Sequence, residues 1–133
     1  AKDYEKFATM LINGKNKNSK PLVNTDTLEM IRNNSLTADL FPLEITSINT
    51  KKDIDYENDL IGYGWGMGMR VLMKNTNQNK YGTIGEFGWS GYASTYFLVD
   101  PINNLSAVLM MQIIDAHKNI KQDFYNNIFK NIK

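Results

Sequence analysis

The chain has 133 residues, with 15 Lys and Arg against 14 Asp and Glu, and no cysteine. That length fits a single domain over residues 1–133. A net charge of +1 gives no electrostatic case for nucleic acid or an anionic membrane, and the absence of thiols excludes disulfides, Cys-zinc sites and cysteine nucleophiles. No apolar run reaches the ~18 residues that a membrane span needs, and residues 1–6 lack the pattern of a signal peptide.

Tyr4, Phe7, Ala8, Leu11 and Ile12 recur at helical spacing. They predict a helix over 3–12 that stops at Asn13-Gly14, a C-cap pair. Asn24 reads as the N-cap of a short second helix, with Asp26 in its first turn and Val23 and Leu28 as a hydrophobic staple; the helix should end near Asn33-Asn34. Residues 35–61 read as loop. Asp53, Asp55, Glu57 and Asp59 alternate there, but a calcium loop counted from Asp53 would have Asn58 and Gly64 where it needs Gly and an acid, so a solvated loop is expected.

Gly62 to Met69 alternates glycine with large residues. That predicts a strand with one bare face, open to close approach by a helix or another backbone, and Arg70 to Met73 continues it. Nothing after these glycines opens a helix with Lys-Ser or Lys-Thr, so they are not a phosphate loop. Three further strands are expected over 83–91, 92–99 and 105–114, with Asp100-Pro101-Ile102-Asn103-Asn104 as a turn. Ile120, Phe124, Ile128 and Ile132, with Tyr125 and Phe129, form the apolar stripe of a last helix. Short connections favour antiparallel neighbours, so the fold class is α+β: an antiparallel β-meander with flanking helices.

Catalytic groups are sparse. His117 is the only histidine and lies in a polar turn, which reads as surface; no metal site is expected. A serine nucleophile activated by lysine needs Ser-x-x-Lys. Ser19, Ser35, Ser47, Ser90, Ser94 and Ser106 all lack it. Tyr125-Asn126-Asn127 falls on the expected C-terminal helix and reads as a chance match to Tyr-x-Asn.

The run Gly85-Glu86-Phe87-Gly88-Trp89-Ser90-Gly91-Tyr92, continuing to Tyr96-Phe97-Leu98-Val99-Asp100-Pro101, resembles the third active-site motif of the serine β-lactamase-like hydrolases. These comprise class C β-lactamases, penicillin-binding proteins and family VIII esterases. Asp3-Tyr4-Glu5-Lys6-Phe7, Leu40-Phe41-Pro42-Leu43 and Gly62-Tyr63-Gly64-Trp65-Gly66-Met67-Gly68 resemble the same family in the same order, so the match runs along nearly the whole chain. The resemblance implies the C-terminal part of a β-lactamase/transpeptidase-like fold. The nucleophilic Ser, its Lys and the Tyr would come from a part upstream, leaving no catalytic residue in this segment and the segment alone inert. Trp89, Ser90, Gly91 and Tyr92 would form the substrate and oxyanion wall. Trp89 stands where lysine is usual, which favours apolar ester or amide substrates over β-lactams. The resemblance implies no metal or cofactor, and leans toward an exported protein. A sheet lacking its upstream part would expose an edge open to homodimer pairing. Taken without the family, the strand fits a non-catalytic module for peptide or cell-wall fragments, or one half of a two-chain enzyme.

Overall fold

The computed structural model describes residues 1–40, 60–77, 79–114 and 118–132. The acidic quartet, His117 and Phe41-Pro42-Leu43 lie outside them. Helices α1 (Lys2–Asn13) and α2 (Thr25–Arg32) precede a 3-10 turn at Ala38–Leu40. Strands β1 (Tyr63–Trp65), β2 (Arg70–Leu72), β3 (Phe87–Ser90), β4 (Tyr96–Asp100) and β5 (Leu105–Leu109) form one antiparallel sheet in sequence order, and α3 (Lys118–Lys130) ends the chain. The α+β meander with flanking helices therefore holds. No helix among the described residues is long and apolar enough to cross a membrane.

Local chemistry sets the helix ends. Gly14 takes the left-handed conformation at φ 75° and its N–H bonds the Met10 carbonyl, closing α1. The Asn24 side chain accepts from the Thr27 N–H at 2.8 Å and starts α2.

The expected strand over 62–73 is instead a hairpin. The Gly66 N–H bonds the Met69 carbonyl, and Gly68 at φ 77° turns the chain, so β1 and β2 pair with each other. Period-two alternation does not separate one long strand from two short ones; the left-handed glycine does. The other strands are also shorter than expected. Gly85 at φ 91° delays β3, a turn at 91–95 separates β3 from β4, and β5 stops at Leu109.

Each sheet face carries its own core. Val71, Phe87, Phe97 and Val99 pack with Ala8 and Leu11 of α1 and Leu28 of α2. On the other face Tyr96 and Leu98 meet Tyr125 and Phe129 of α3. The α3 stripe is thus rotated from expectation: Tyr125 and Phe129 are buried, Phe124 and Ile128 are half-buried, and Ile120 and Ile132 are exposed. The bare face of β1 is used as expected. A Cβ at Gly64 would lie 2.4 Å from the Asn34 side chain, and one at Gly66 would lie 2.1 Å from the Ile31 carbonyl oxygen. Gly66→Ala should therefore lower the unfolding free energy in urea by about 1–3 kcal/mol, since the obstructing atoms are backbone and must move.

Candidate functional site

The sequence singled out Trp89, Ser90, Gly91 and Tyr92, and the register of β3 explains what they offer. β3 is flanked by β2 and β4, but unequally. It pairs with β4 through Ser90↔Tyr96, and with β2 only through Arg70↔Gly88 and Val71↔Phe87. Trp89 and Ser90 thus run past the end of β2. The Gly91 N–H bonds the Thr95 carbonyl at 2.8 Å, so Gly91 directs its main-chain groups toward β4. Successive residues of a strand direct these groups to opposite edges. Ser90 therefore directs its N–H and C=O to the β2 side, where no strand residue among the described residues faces it.

The loop Tyr92-Ala93-Ser94 joins β3 to β4. The Ser94 N–H bonds the Gly91 carbonyl at 3.0 Å and Ser94 is left-handed at φ 63°, the pattern of a type I turn followed by a bulge residue. Tyr92 occupies the first central position of that turn. Its N–H meets no acceptor among the described residues, and Tyr92 is 74% exposed. The Ser94 hydroxyl donates to the Ile113 carbonyl, and the Ile113 N–H returns to the Ala93 carbonyl, which anchors the loop. Gly91 has a local reason to lack a side chain: a Cβ there would lie 2.4 Å from the Thr95 hydroxyl oxygen.

Trp89 is half-buried against the α1–α2 core and meets Trp65 edge to face, with ring centroids 4.6 Å apart at 81°. Trp65 is itself held at both main-chain groups: its N–H donates to the Asn34 side chain at 2.9 Å, and its carbonyl accepts from the Ser35 N–H at 2.7 Å. The site is thus a half-buried end of β3, without a strand partner on its β2 side among the described residues, beside a fixed aromatic corner.

Next to it lies a buried polar cluster that sequence reasoning missed. Glu86 is 1% exposed. One of its carboxylate oxygens accepts from the Tyr63 hydroxyl at 2.8 Å and the Tyr125 hydroxyl at 3.0 Å. The Arg70 guanidinium lies between the rings of Tyr63 and Tyr96, 4.8 and 4.7 Å from their centroids, and donates to the Tyr96 hydroxyl. Tyr96 stands directly opposite Ser90 in the register, so the cluster fixes the residue beside the motif. The available signal was Arg70 and Glu86 themselves, charged residues abutting apolar strand runs. Tyr125, a chance match by sequence, works inside this cluster as a hydroxyl donor.

Burial raises the Glu86 carboxyl above the usual carboxylate range, against the lowering effect of Arg70 and the two hydroxyls. Burial likewise pushes the Tyr63 and Tyr125 phenols up, and the Glu86 charge adds to it. Among the described residues no three of His, Cys, Asp and Glu come together as metal ligands. No family model matches the chain, and no curated protein matches it.

A carboxyl whose folded pKa is raised contributes stability that is fully present below its unfolded pKa and is lost as pH rises through the folded value. Glu86→Gln keeps an oxygen acceptor for both tyrosines and removes the titration. Glu86→Gln should thus match the native chain in acid and become relatively more stable as pH rises above the ordinary glutamate range. Parallel denaturation curves at a series of pH values test this, and a difference that does not change with pH contradicts it.

Proposed function

We propose that the chain is the C-terminal segment of a serine hydrolase similar to the class C β-lactamases and their esterase relatives, with Trp89–Tyr92 as its third active-site motif. The ordered resemblance along the sequence supports the family. The open β3 edge, with the unengaged Tyr92 N–H beside Ser90, is the observation that carries the function. An acyl-enzyme mechanism needs a donor that meets oxygen charge as it develops, and a main-chain N–H fixed by a tight turn is preorganised for that. In this reading Tyr92 supplies one oxyanion N–H and the nucleophile supplies the other. The Ser90 hydroxyl holds the substrate carboxylate or carbonyl. Trp89, braced by Trp65, presents an apolar surface in place of a cation, which suits uncharged esters or amides with apolar acyl groups. The nucleophilic serine, its lysine and the tyrosine belong to a part of the enzyme upstream of Ala1, and the reading calls for no metal or cofactor.

The β3 edge also suits an extended peptide added as a strand, which is the competing, non-catalytic reading. Covalent labelling separates the two. A fluorophosphonate and a fluorescent penicillin, followed by intact mass, should leave this chain unmodified and give a one-equivalent adduct on the longest product of its gene. The probe that reacts distinguishes esterase-like from penicillin-recognising chemistry. An adduct on this chain alone would mean that the nucleophile is misplaced, and none on either would favour the peptide-binding module.

In the longer enzyme, Tyr92→Pro should reduce kcat by ~10²–10³ while Tyr92→Ala leaves most activity, because the role belongs to the N–H. Proline is favoured at this turn position, so the fold survives the change. Equal activity of the two variants in an ester-hydrolysis assay would remove Tyr92 from the mechanism.

A further inference from the structure

The turn that carries the Tyr92 N–H is held in two ways. Two bonds are its own: the Gly91 N–H donates to the Thr95 carbonyl at 2.8 Å, and the Ser94 N–H donates to the Gly91 carbonyl at 3.0 Å. These set the shape of the turn. Two more come from Ile113, beyond the end of β5. The Ser94 hydroxyl donates to the Ile113 carbonyl at 2.7 Å, and the Ile113 N–H donates to the Ala93 carbonyl at 3.3 Å. They are no continuation of the sheet. The Tyr96↔Leu109 register, carried on, would set Met111 opposite Ser94, whereas the bonds fall at Ile113.

The backbone at Ser94 suits glycine better than serine. Its φ of 63° lies in the left-handed region, which a residue with a Cβ occupies at a cost and keeps only where its surroundings determine it. Gly14, Gly62, Gly68 and Gly85 take positive φ without that cost. Ser94 bears the cost and brings a hydroxyl that reaches main chain 19 residues away. Of the two bonds to Ile113, the hydroxyl's is the shorter; the 3.3 Å bond lies beyond the usual N–H···O range.

We propose that Ser94 is a positioning residue for the oxyanion donor: its hydroxyl, fastened to Ile113, fixes the direction in which the Gly91–Tyr92 peptide presents its N–H. The inference rests on the serine-hydrolase reading and deepens it, by assigning a residue that acts only through the Tyr92 N–H. An oxyanion donor works within a narrow window, about 2.7–3.1 Å from the oxygen. A misplacement of about 1 Å costs on the order of 10²-fold in rate. Bonds internal to a hairpin leave its turn free to pivot where the strands end. Among the described residues β2 pairs no further along β3 than Gly88, so it gives the turn no support. The bond from Ser94 to Ile113 ties the turn to a third segment of chain and removes the pivot.

Ser94→Gly separates a positioning role from a purely structural one. Glycine takes φ 63° freely, so the turn keeps its shape and only the hydroxyl is lost. In the longest product of the gene, Ser94→Gly should lower kcat for an uncharged p-nitrophenyl ester by about tenfold, with KM near native. A serine that served only the backbone would leave kcat unchanged in this variant. The double variant shows whether the effect runs through Tyr92. Tyr92→Pro has already removed the N–H, so adding Ser94→Gly to it should cost nothing further. Unchanged kcat in Ser94→Gly, a loss confined to KM, or a loss that adds in full to that of Tyr92→Pro would each overturn the proposal. Fluorophosphonate labelling keeps that failure apart from failure of the reading beneath it. A one-equivalent adduct on the native longer product, alongside an unimpaired Ser94→Gly, removes only the role of Ser94. No adduct on that product removes the hydrolase reading, and the role of Ser94 with it.

Discussion

The buried Glu86 carboxylate is the constraint around which the sheet and its last helix are arranged. A carboxylate with 1% exposure is tolerated only when its oxygens are well bonded and a cation is near. The donors come from both sides of it in sequence: Tyr63 on β1 and Tyr125 on α3. One side chain at the head of β3 thus ties the first strand and the last helix to the middle of the sheet. Arg70 balances the charge from β2, and the rings of Tyr63 and Tyr96 hold its guanidinium in place. Removing a single member would leave a buried polar group without its partner, which is a greater loss than the pairing itself contributes.

Small residues make this arrangement possible. Tyr125 reaches Glu86 by passing over Gly82, where a Cβ would stand 1.9 Å from its hydroxyl oxygen. Gly88, opposite Arg70, has the Phe97 carbonyl oxygen 2.1 Å from where a Cβ would be. The chain between β2 and β3 is organised by asparagine. Asn79 is buried and accepts from the Thr76 N–H and hydroxyl, and Asn75 donates to the Asn79 and Gly82 carbonyls. Asp100, wholly buried, does the same for the next turn by accepting from the N–H groups of Ile102 and Asn103. Side chains that read as turn formers in sequence therefore act here as internal braces.

This explains what could be read in advance. Both early helices were legible to within a residue or two, because Gly14 and Asn24 act locally and their neighbours supply the bonds. The antiparallel order followed from short connections. The division of residues 62–73 into β1 and β2 did not, because glycine alternation is compatible with an extended strand until one glycine turns left-handed. The run Trp89–Tyr92 stood out in the sequence as a pattern, and its role as a motif belongs to the proposal. Its open edge did not stand out, since that depends on β2 ending one pair short of Trp89, a property of register rather than of any residue in the run. The Glu86 cluster was the least legible: its members are drawn from four strands or strand ends and a helix, and only the fold brings them together.

The same register accounts for why the site and the fold do not compete. β2 must end early because Gly66–Met69 reverses the chain, and that reversal is also what brings Trp65 against Trp89. A longer β2 would saturate the Ser90 main chain and cover the motif. A shorter one would lose the Arg70↔Gly88 pair and, with it, the position of the guanidinium beside Glu86. The hairpin length is therefore bounded on both sides. The unpaired end of β3 is a consequence of the turn beside the aromatic corner, and the buried cluster holds Tyr96, the residue opposite Ser90.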